Sequence, residues 1–443
     1  MSDASTQGDD ILHKALHVLA DLPLCDRCLG RLFARLGYGW DNKSRGDSLK
    51  RLVVMSLHRK IIAGNEEAKR FFISIAPNIG LQASGLYTKI TGSKLEPKSC
   101  VICKGLLDRY IKEIPERALP LLRLYNIRKF VVGVSVPEEL LRFEEEIKMR
   151  YNLEYSESIK AELRREIGKA IQALDPSIRA DFGEPEATLM VWFPRGELDL
   201  KVNSLLLSGV YWKRGRMISQ AYWPTPSGPK YYSIEEALWP ILRLTGGERL
   251  IIHAAGREDV DARMLGTGRP LIIEVKSPRN RHVDLRRMEY AVVDASKGVV
   301  AVRLHATARR RDIALYKEEV ARLVKTYKAL IVSGAPLSSN DLEILEREFS
   351  GSIIMQRTPH RVLHRRPDIL RRRKVYDVKC ILLNDSLLEC LIRAEGGLYI
   401  KELISGDNGR TKPSFSEVLG KKLKCVELDV LAVEGLPIPR EGG

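Results

Sequence analysis

No run of apolar residues in this 443-residue chain approaches the roughly 18–20 that a membrane-spanning helix needs. The opening, MSDASTQGDD, is polar and acidic and lacks the basic and apolar stretches of a secretory signal or transit peptide. The expectation is a cytoplasmic protein. There is no internal repeat and no low-complexity tract. There is no glycine-rich phosphate loop either, since Gly266-Thr267-Gly268 is too short a fragment to cradle a nucleotide. Cysteine is sparse and odd in number, seven in all, which argues against a disulfide framework.

What is present describes a folded, basic chain. Apolar residues make up 44% of it, enough for a real core and too many for a disordered chain. At roughly 150 residues per domain, the length predicts two or three domains. The 73 Lys and Arg exceed the 57 Asp and Glu by 16 charges. Such a balance points to an anionic partner, most commonly nucleic acid.

Four cysteines form two pairs, Cys25-Asp-Arg-Cys28 and Cys100-Val-Ile-Cys103, and each pair is followed by a glycine two residues on, Gly30 and Gly105. A glycine there allows a positive φ, so that backbone N–H groups can face the sulfurs. Two such turns can supply a tetrahedral four-sulfur zinc site, stapling the N-terminal segment to the region around residue 100. Two unrelated pairs, or a redox pair, are the alternatives. Cys380, Cys390 and Cys425 lie in apolar runs and are expected in the core.

Periodicity predicts a mixed α+β chain. Asp9-Asp10 precede a first helix, and further helices are expected over about 47–63, 106–114, 137–150 and 156–174. The 129–136 run reads as a strand. A boundary is expected near 180, giving domains 1–180 and 181–443. Beyond it strands dominate, at 186–193, 197–202, 249–254, 270–276, 298–304, 328–334, 374–383 and 386–394. Asn384-Asp385 marks a hairpin turn. Helices are expected at about 233–244, 310–326 and 339–349.

The densest ionisable cluster is Gly256-Arg257-Glu258-Asp259-Val260-Asp261-Ala262-Arg263. Continued as a strand, it would place Arg257, Asp259 and Asp261 on one face. A carboxylate beside Arg stays ionised and can act as a nucleophile. The plain alternative is a solvated loop. A metal-dependent nuclease is a specific rival: Asp259 or Asp261, with Glu274 and Lys276 on the next strand, would hold Mg²⁺ and activate water. A non-catalytic RNA-binding factor is a third reading. Basic residues gather in the same half, with eight Lys or Arg between Arg357 and Lys374. Others lie at Arg279-Asn280-Arg281-His282, Arg286-Arg287 and Arg309–Arg311. The 211–224 segment mixes Lys213, Arg214 and Arg216 with Tyr211, Trp212, Tyr222 and Trp223. Guanidinium groups fit phosphates and aromatic faces stack on unpaired bases.

The block GREDVDARMLGTGRPLIIEVKSPR resembles the signature of the archaeal–eukaryotic tRNA pseudouridine synthases. Those enzymes modify uridine 55, and in archaea also uridine 54, of the TΨC arm. Other blocks agree in order: CDRCLGRLFARLGYG, CVICKGLL, KTYKALIVSG, QRTPHRVLHRRPDILRRRKVYDV and GGLYIKELISGDNGRTKPSFSEVLG. The match runs from about residue 22 to 436. The resemblance implies a zinc-containing, THUMP-related RNA-binding domain. A pseudouridine synthase domain with a mixed, mainly antiparallel sheet would follow it. It implies Asp259 as nucleophile, and Tyr327, Tyr399, Ile400, Lys401 and Leu428 around the target uridine, with Arg257 or another basic residue available to pair with the aspartate. Segment 211–224 would be a mobile loop that grips the RNA, although it opens Gly209-Val210-Tyr211 where the family often has Gly-Arg-Tyr. The implied ligands are tRNA and one structural zinc held by Cys25, Cys28, Cys100 and Cys103. No catalytic cofactor is implied, and the expected state is a monomer.

Overall fold

The computed structural model describes residues 11–319 and 323–435. The Asp9-Asp10 start signal and residues 320–322 lie outside them. The chain divides into two compact units between Asn203 and Ser204, not near residue 180. The reason is a sheet. Ala187–Trp192 pairs in parallel with Lys129–Ser135, and Glu197–Val202 adds antiparallel to it. Both strands read as the start of the second domain, but they complete the first.

The first unit opens with helices. Asp26–Arg31 and Asn42–Ile62 cross with touching backbones: a Cβ on Gly30 would lie 1.8 Å from the Asn42 carbonyl oxygen. Gly30 is thus helical and needed for close approach, whereas Gly105 has the positive φ expected of it, 82°. Two helices had no clear sequence signal, Glu66–Ile79 and Ser84–Thr91. Asn65, which reads as a helix stop, also caps the next helix by accepting from the Ala68 N–H at 2.8 Å. Ile159–Leu174 packs its Ile159, Leu163, Ile167 and Ile171 stripe into the core, as its period predicts.

The second unit is built on a ten-stranded sheet with helices. Within that sheet the pairings are antiparallel except one. Arg263–Lys276 meets Leu423–Glu434 in parallel, in register only at Arg263 with Asp429 and Met264 with Val430. This seam joins two antiparallel halves. One holds Arg249–Ala254, Leu205–Lys213 and Val300–Thr307. The other holds Val324–Ser333, Leu387–Glu395, Leu370–Asn384 and Ile353–Arg357. The hairpin at Asn384-Asp385 forms as expected. The helix expected over 310–326 is confirmed only for Arg310–Glu319, because Val324–Ser333 is a strand paired on both sides. Sheet pairing overrides local helix tendency there.

Cys380 and Cys390 lie in the core as expected, and they face each other across the hairpin and form a disulfide that the sequence did not suggest. Cys425 is only partly buried. Among the described residues, no helix is long and apolar enough to cross a membrane.

Candidate functional site

In the first unit the four cysteines converge. Cys25 caps the Asp26–Arg31 helix, and its sulfur accepts from the Cys28 N–H at 3.4 Å. The Val101 N–H donates to the Pro23 carbonyl at 3.0 Å, tying the two turns together. The four sulfurs all lie within 4.8 Å of one another. Four thiols converging from two turns fit one tetrahedral zinc better than they fit a redox pair. Arg31 stands behind them, with Nη1 3.6 Å from Cys28 Sγ, while it bridges Glu144 and Glu162. Among the described residues no other group of cysteine, histidine and acidic side chains is placed to hold a metal.

The second unit holds a cavity of about 1250 Å³ at the parallel seam. Asp259, Arg257, Tyr327, Tyr399, Ile400, Lys401 and Leu428 all line it. The seven residues singled out in the sequence thus come together from both halves of the sheet.

Asp259 sits in a loop, not on a continued strand: Arg249–Ala254 ends first, and residues 255–262 are irregular. Buried groups hold that loop from beneath. Glu258 accepts from Arg269 Nε at 2.8 Å and from the Tyr211 hydroxyl at 2.9 Å. Arg269 Nη1 also donates to the Ala255 carbonyl at 2.8 Å. Lys213 Nζ donates to three carbonyls, Ile218 at 2.9 Å, Asp259 at 2.9 Å and Val260 at 3.2 Å. Gln220 donates to the Gly256 carbonyl at 3.1 Å. With its backbone fixed, the Asp259 side chain can point only where the loop sends it.

Its carboxylate meets Arg361, whose Nη1 donates to Oδ1 at 3.1 Å while Nη2 lies 2.9 Å from Oδ2. Glu402 holds the same guanidinium through Nε at 2.7 Å. Lys401 Nζ lies 3.7 Å from Asp259 Oδ2 and binds Asp261 at 2.7 Å. Burial works against charge on Asp259, but Arg361 and then Lys401 outweigh it and hold the carboxyl below its usual range. The side chain remains 31% exposed. It is therefore an ionised carboxylate with one open side.

The apolar wall comes from Ile400 and Leu428, both buried, with Tyr327 beside them. Tyr399 precedes the short helix Ile400–Ser405, and its hydroxyl accepts from Arg366 Nη1 at 2.9 Å. The Arg361 guanidinium lies 5.9 Å from its ring centre.

Several expectations change. Arg257 is exposed and does not pair with Asp259; the other basic residue left open by the sequence is Arg361, 102 residues away. The basic run containing Arg361 was legible, but its role was not, because only folding brings it to the aspartate. Glu258, Arg269 and Lys325 were likewise missed. Segment 211–224 is divided. Tyr211 and Lys213 are buried supports of the Asp259 loop, and Arg216 donates to the Leu428 carbonyl at 2.9 Å. Trp223 alone of the segment's aromatics reaches the cavity, where Lys230 lies 4.8 Å from its ring centre. The nuclease set does not assemble. Glu274 faces His253 at 2.9 Å and Lys276 at 2.5 Å, and does not line the cavity of Asp259 and Asp261.

Comparison with known proteins accounts for both units. Residues 206–434 match the family model described as "Pus10, C-terminal", and residues 114–191 match "Pus10 THUMP domain, archaeal". The tRNA pseudouridine synthase Pus10 of Aeropyrum pernix is 54% identical over 96% of this chain and 97% of that protein. The enzyme of the same name from Ignisphaera aggregans is 40% identical over 96% and 99%. Among solved structures, a Cbf5–Nop10–Gar1 complex is similar over 52% of this chain and 48% of that chain, at 16% identity and a TM-score of 0.29. The chain belongs to the tRNA pseudouridine synthase Pus10 family.

Proposed function

We propose that this protein isomerises uridine to pseudouridine at position 55, and also at 54, of the TΨC arm of tRNA. Asp259 is the nucleophile, and no catalytic metal takes part. The enzyme acts as a cytoplasmic monomer. One observation carries the reading: an ionised carboxylate, held by Arg361, opens into a cavity with an apolar wall and a basic rim. Positions 54 and 55 rest on the family resemblance.

The chemistry fits the groups available. Isomerisation breaks the bond between ribose C1′ and N1, turns the base, and joins C1′ to C5. Asp259 supplies a charged carboxylate with a free face. Tyr327, Ile400 and Leu428 confine the detached base, and Tyr399 and Lys401 contact the uridine. Reaching this cavity requires the nucleotide to leave the tRNA stack, and Arg365, Arg366 and Arg371 at the rim offer charge to its phosphates. Cys25, Cys28, Cys100 and Cys103 would hold a structural zinc that supplies folding energy to the first unit and no chemistry to the second.

The test is incubation with unmodified tRNA, with EDTA present to remove free Mg²⁺, followed by pseudouridine mapping. Product is expected at 55 and 54, and Asp259→Ala should form none. A fully active Asp259→Ala enzyme would refute the nucleophile. Tight tRNA binding with no modified base under any condition would favour a non-catalytic binding factor.

A further inference from the structure

Two lysines are buried in the second unit, one beneath the Asp259 loop and one along the cavity, and they differ in their partners. Lys213 is held by three carbonyl oxygens and lies 3.7 Å from the Glu258 carboxylate. Lys325 is 7% exposed, and among the described residues its ammonium has no hydrogen bond and no carboxylate within 4 Å. Burying an unpartnered amine is costly, so a chain that keeps one has a use for it or suffers for it. Lys325 lies two residues before Tyr327 on Val324–Ser333. Strand alternation puts both on one face, and both line the cavity that Asp259 opens into.

We propose that Lys325 is the base that removes the C5 proton in the last step of the isomerisation. This rests on the isomerase reading of the cavity. Once C1′ is bonded to C5, that carbon still carries its hydrogen, and the ring holds an N1=C6 double bond. The C5–H bond breaks, and its electron pair forms C5=C6. The N1=C6 pair moves to N1. The proton goes to the lone pair of Lys325 Nζ, and the resulting ammonium returns a proton to N1 through solvent. Nothing is oxidised or reduced, and no co-reactant is needed.

The surroundings favour this lysine over its neighbours. Burial and then the Arg269 guanidinium pull the Lys325 ammonium down to about 7, with Glu258 pulling the other way, so near neutral pH much of it is free amine. A base works best when its pKa lies near the working pH. Tyr327 is pushed up to about 12, chiefly by burial, and remains a phenol. Asp259 and Glu258 lie below the usual carboxylate range and are weak bases. His253 is engaged by Glu274, and His364 is exposed at the rim.

The experiment uses the full chain, single-turnover conditions and tRNA carrying uridine, 5-deuterouridine or 5-fluorouridine at the target. Fluorouridine has no C5 proton, so its rearrangement bypasses the proposed step. Lys325→Met is expected to slow uridine conversion roughly 100-fold or more while leaving fluorouridine rearrangement within about threefold of wild type. The same variant should show a larger deuterium effect than wild type, and added primary amines should restore part of its rate. Lys325→Arg should fail as Lys325→Met does, because guanidinium does not give up its proton near neutral pH. The wild-type rate should rise with pH to a plateau with its midpoint near 7, and the variants should lack that limb. Removing a buried amine that has no partner should leave melting at or above the wild-type temperature. Lys325→Gln provides a second neutral variant if Met disturbs packing. Equal slowing on uridine and fluorouridine would overturn the proposal, as would an unchanged uridine rate. Asp259→Asn separates the two readings: it should abolish both conversions, and its full activity would sink the cavity's assignment and Lys325's with it.

Discussion

Arg31 in the first unit and Arg361 in the second each bridge two carboxylates. Arg31 contacts Glu144 at 2.6 Å and Glu162 at 3.2 Å; Arg361 contacts Glu402 at 2.7 Å and Asp259 at 2.9 Å. The distances are alike and the settings are not. The Arg31 side chain is 0% exposed and that of Arg361 36%. Burial pushes Glu162 above the usual carboxylate range despite its arginine, while Asp259 ends below that range. An arginine–carboxylate pair therefore marks no function by itself. A sealed triad fixes helices together, and a triad with one open carboxylate edge presents charge to whatever enters the cavity. The sealed one also backs the cysteine cluster through Cys28, so both are structural parts of one region.

The largest effect should come from the four-cysteine cluster. Structural zinc supplies on the order of 10 kcal/mol to small domains, and Cys100→Ser forfeits part of that. Hydrogen exchange of the full chain should show lost protection in the first unit, and metal analysis should give about one zinc per wild-type chain and less in the variant. Unchanged protection in a zinc-free protein would break the distinction drawn above. Arg31→Met comes next. It strands two buried carboxylates, and denaturant unfolding should register about 3–5 kcal/mol. Arg361→Met should cost clearly less than Arg31→Met, because of its two carboxylates only Glu402 is buried and Asp259 stays open to water. Its effect belongs in the kinetics: Asp259 loses its main counter-charge, so the acid limb of the rate–pH profile should move to higher pH. If Arg361→Met unfolds the protein while Arg31→Met leaves it stable, the assignment of roles is reversed.

How much of this was legible in the sequence depends on the distance over which each feature is encoded. The Cys pairs, the Ile159–Leu174 stripe and the Asn384-Asp385 turn are local patterns, and each was read correctly in kind. The seven site residues reached one cavity because whole blocks carry a family resemblance. Arg361 pairs with Asp259 only through a fold that closes 102 residues of chain. Lys325 and Lys213 look alike as letters, and what separates them is the three carbonyls and the Glu258 carboxylate that surround one and not the other. The domain boundary failed for a related reason: Asp-Pro and Gly-Glu-Pro near 180 mark a turn, but a turn inside a sheet reads like a linker. The Cys380–Cys390 disulfide depends on strand register, which spacing alone does not give.

The smallest effect offers the finest test, because the two triads should respond to acid with opposite sign. For Glu162, the folded chain keeps its proton to a higher pH than the ordinary 4.5, so between those values the folded state binds more protons. Its contribution to stability then falls as pH rises through that window. For Asp259, the folded pKa lies below the ordinary 3.8, and the unfolded state binds more protons in between. Its contribution is complete above that window and falls as pH drops through it. The penalty of Glu162→Gln should therefore shrink as pH rises from about 4.5, and that of Asp259→Asn should shrink as pH falls below about 4. Denaturant unfolding of both variants across that range reads the two slopes directly. Slopes of the same sign would mean that both carboxylates share one environment, and the open edge of Asp259 would lose its physical basis.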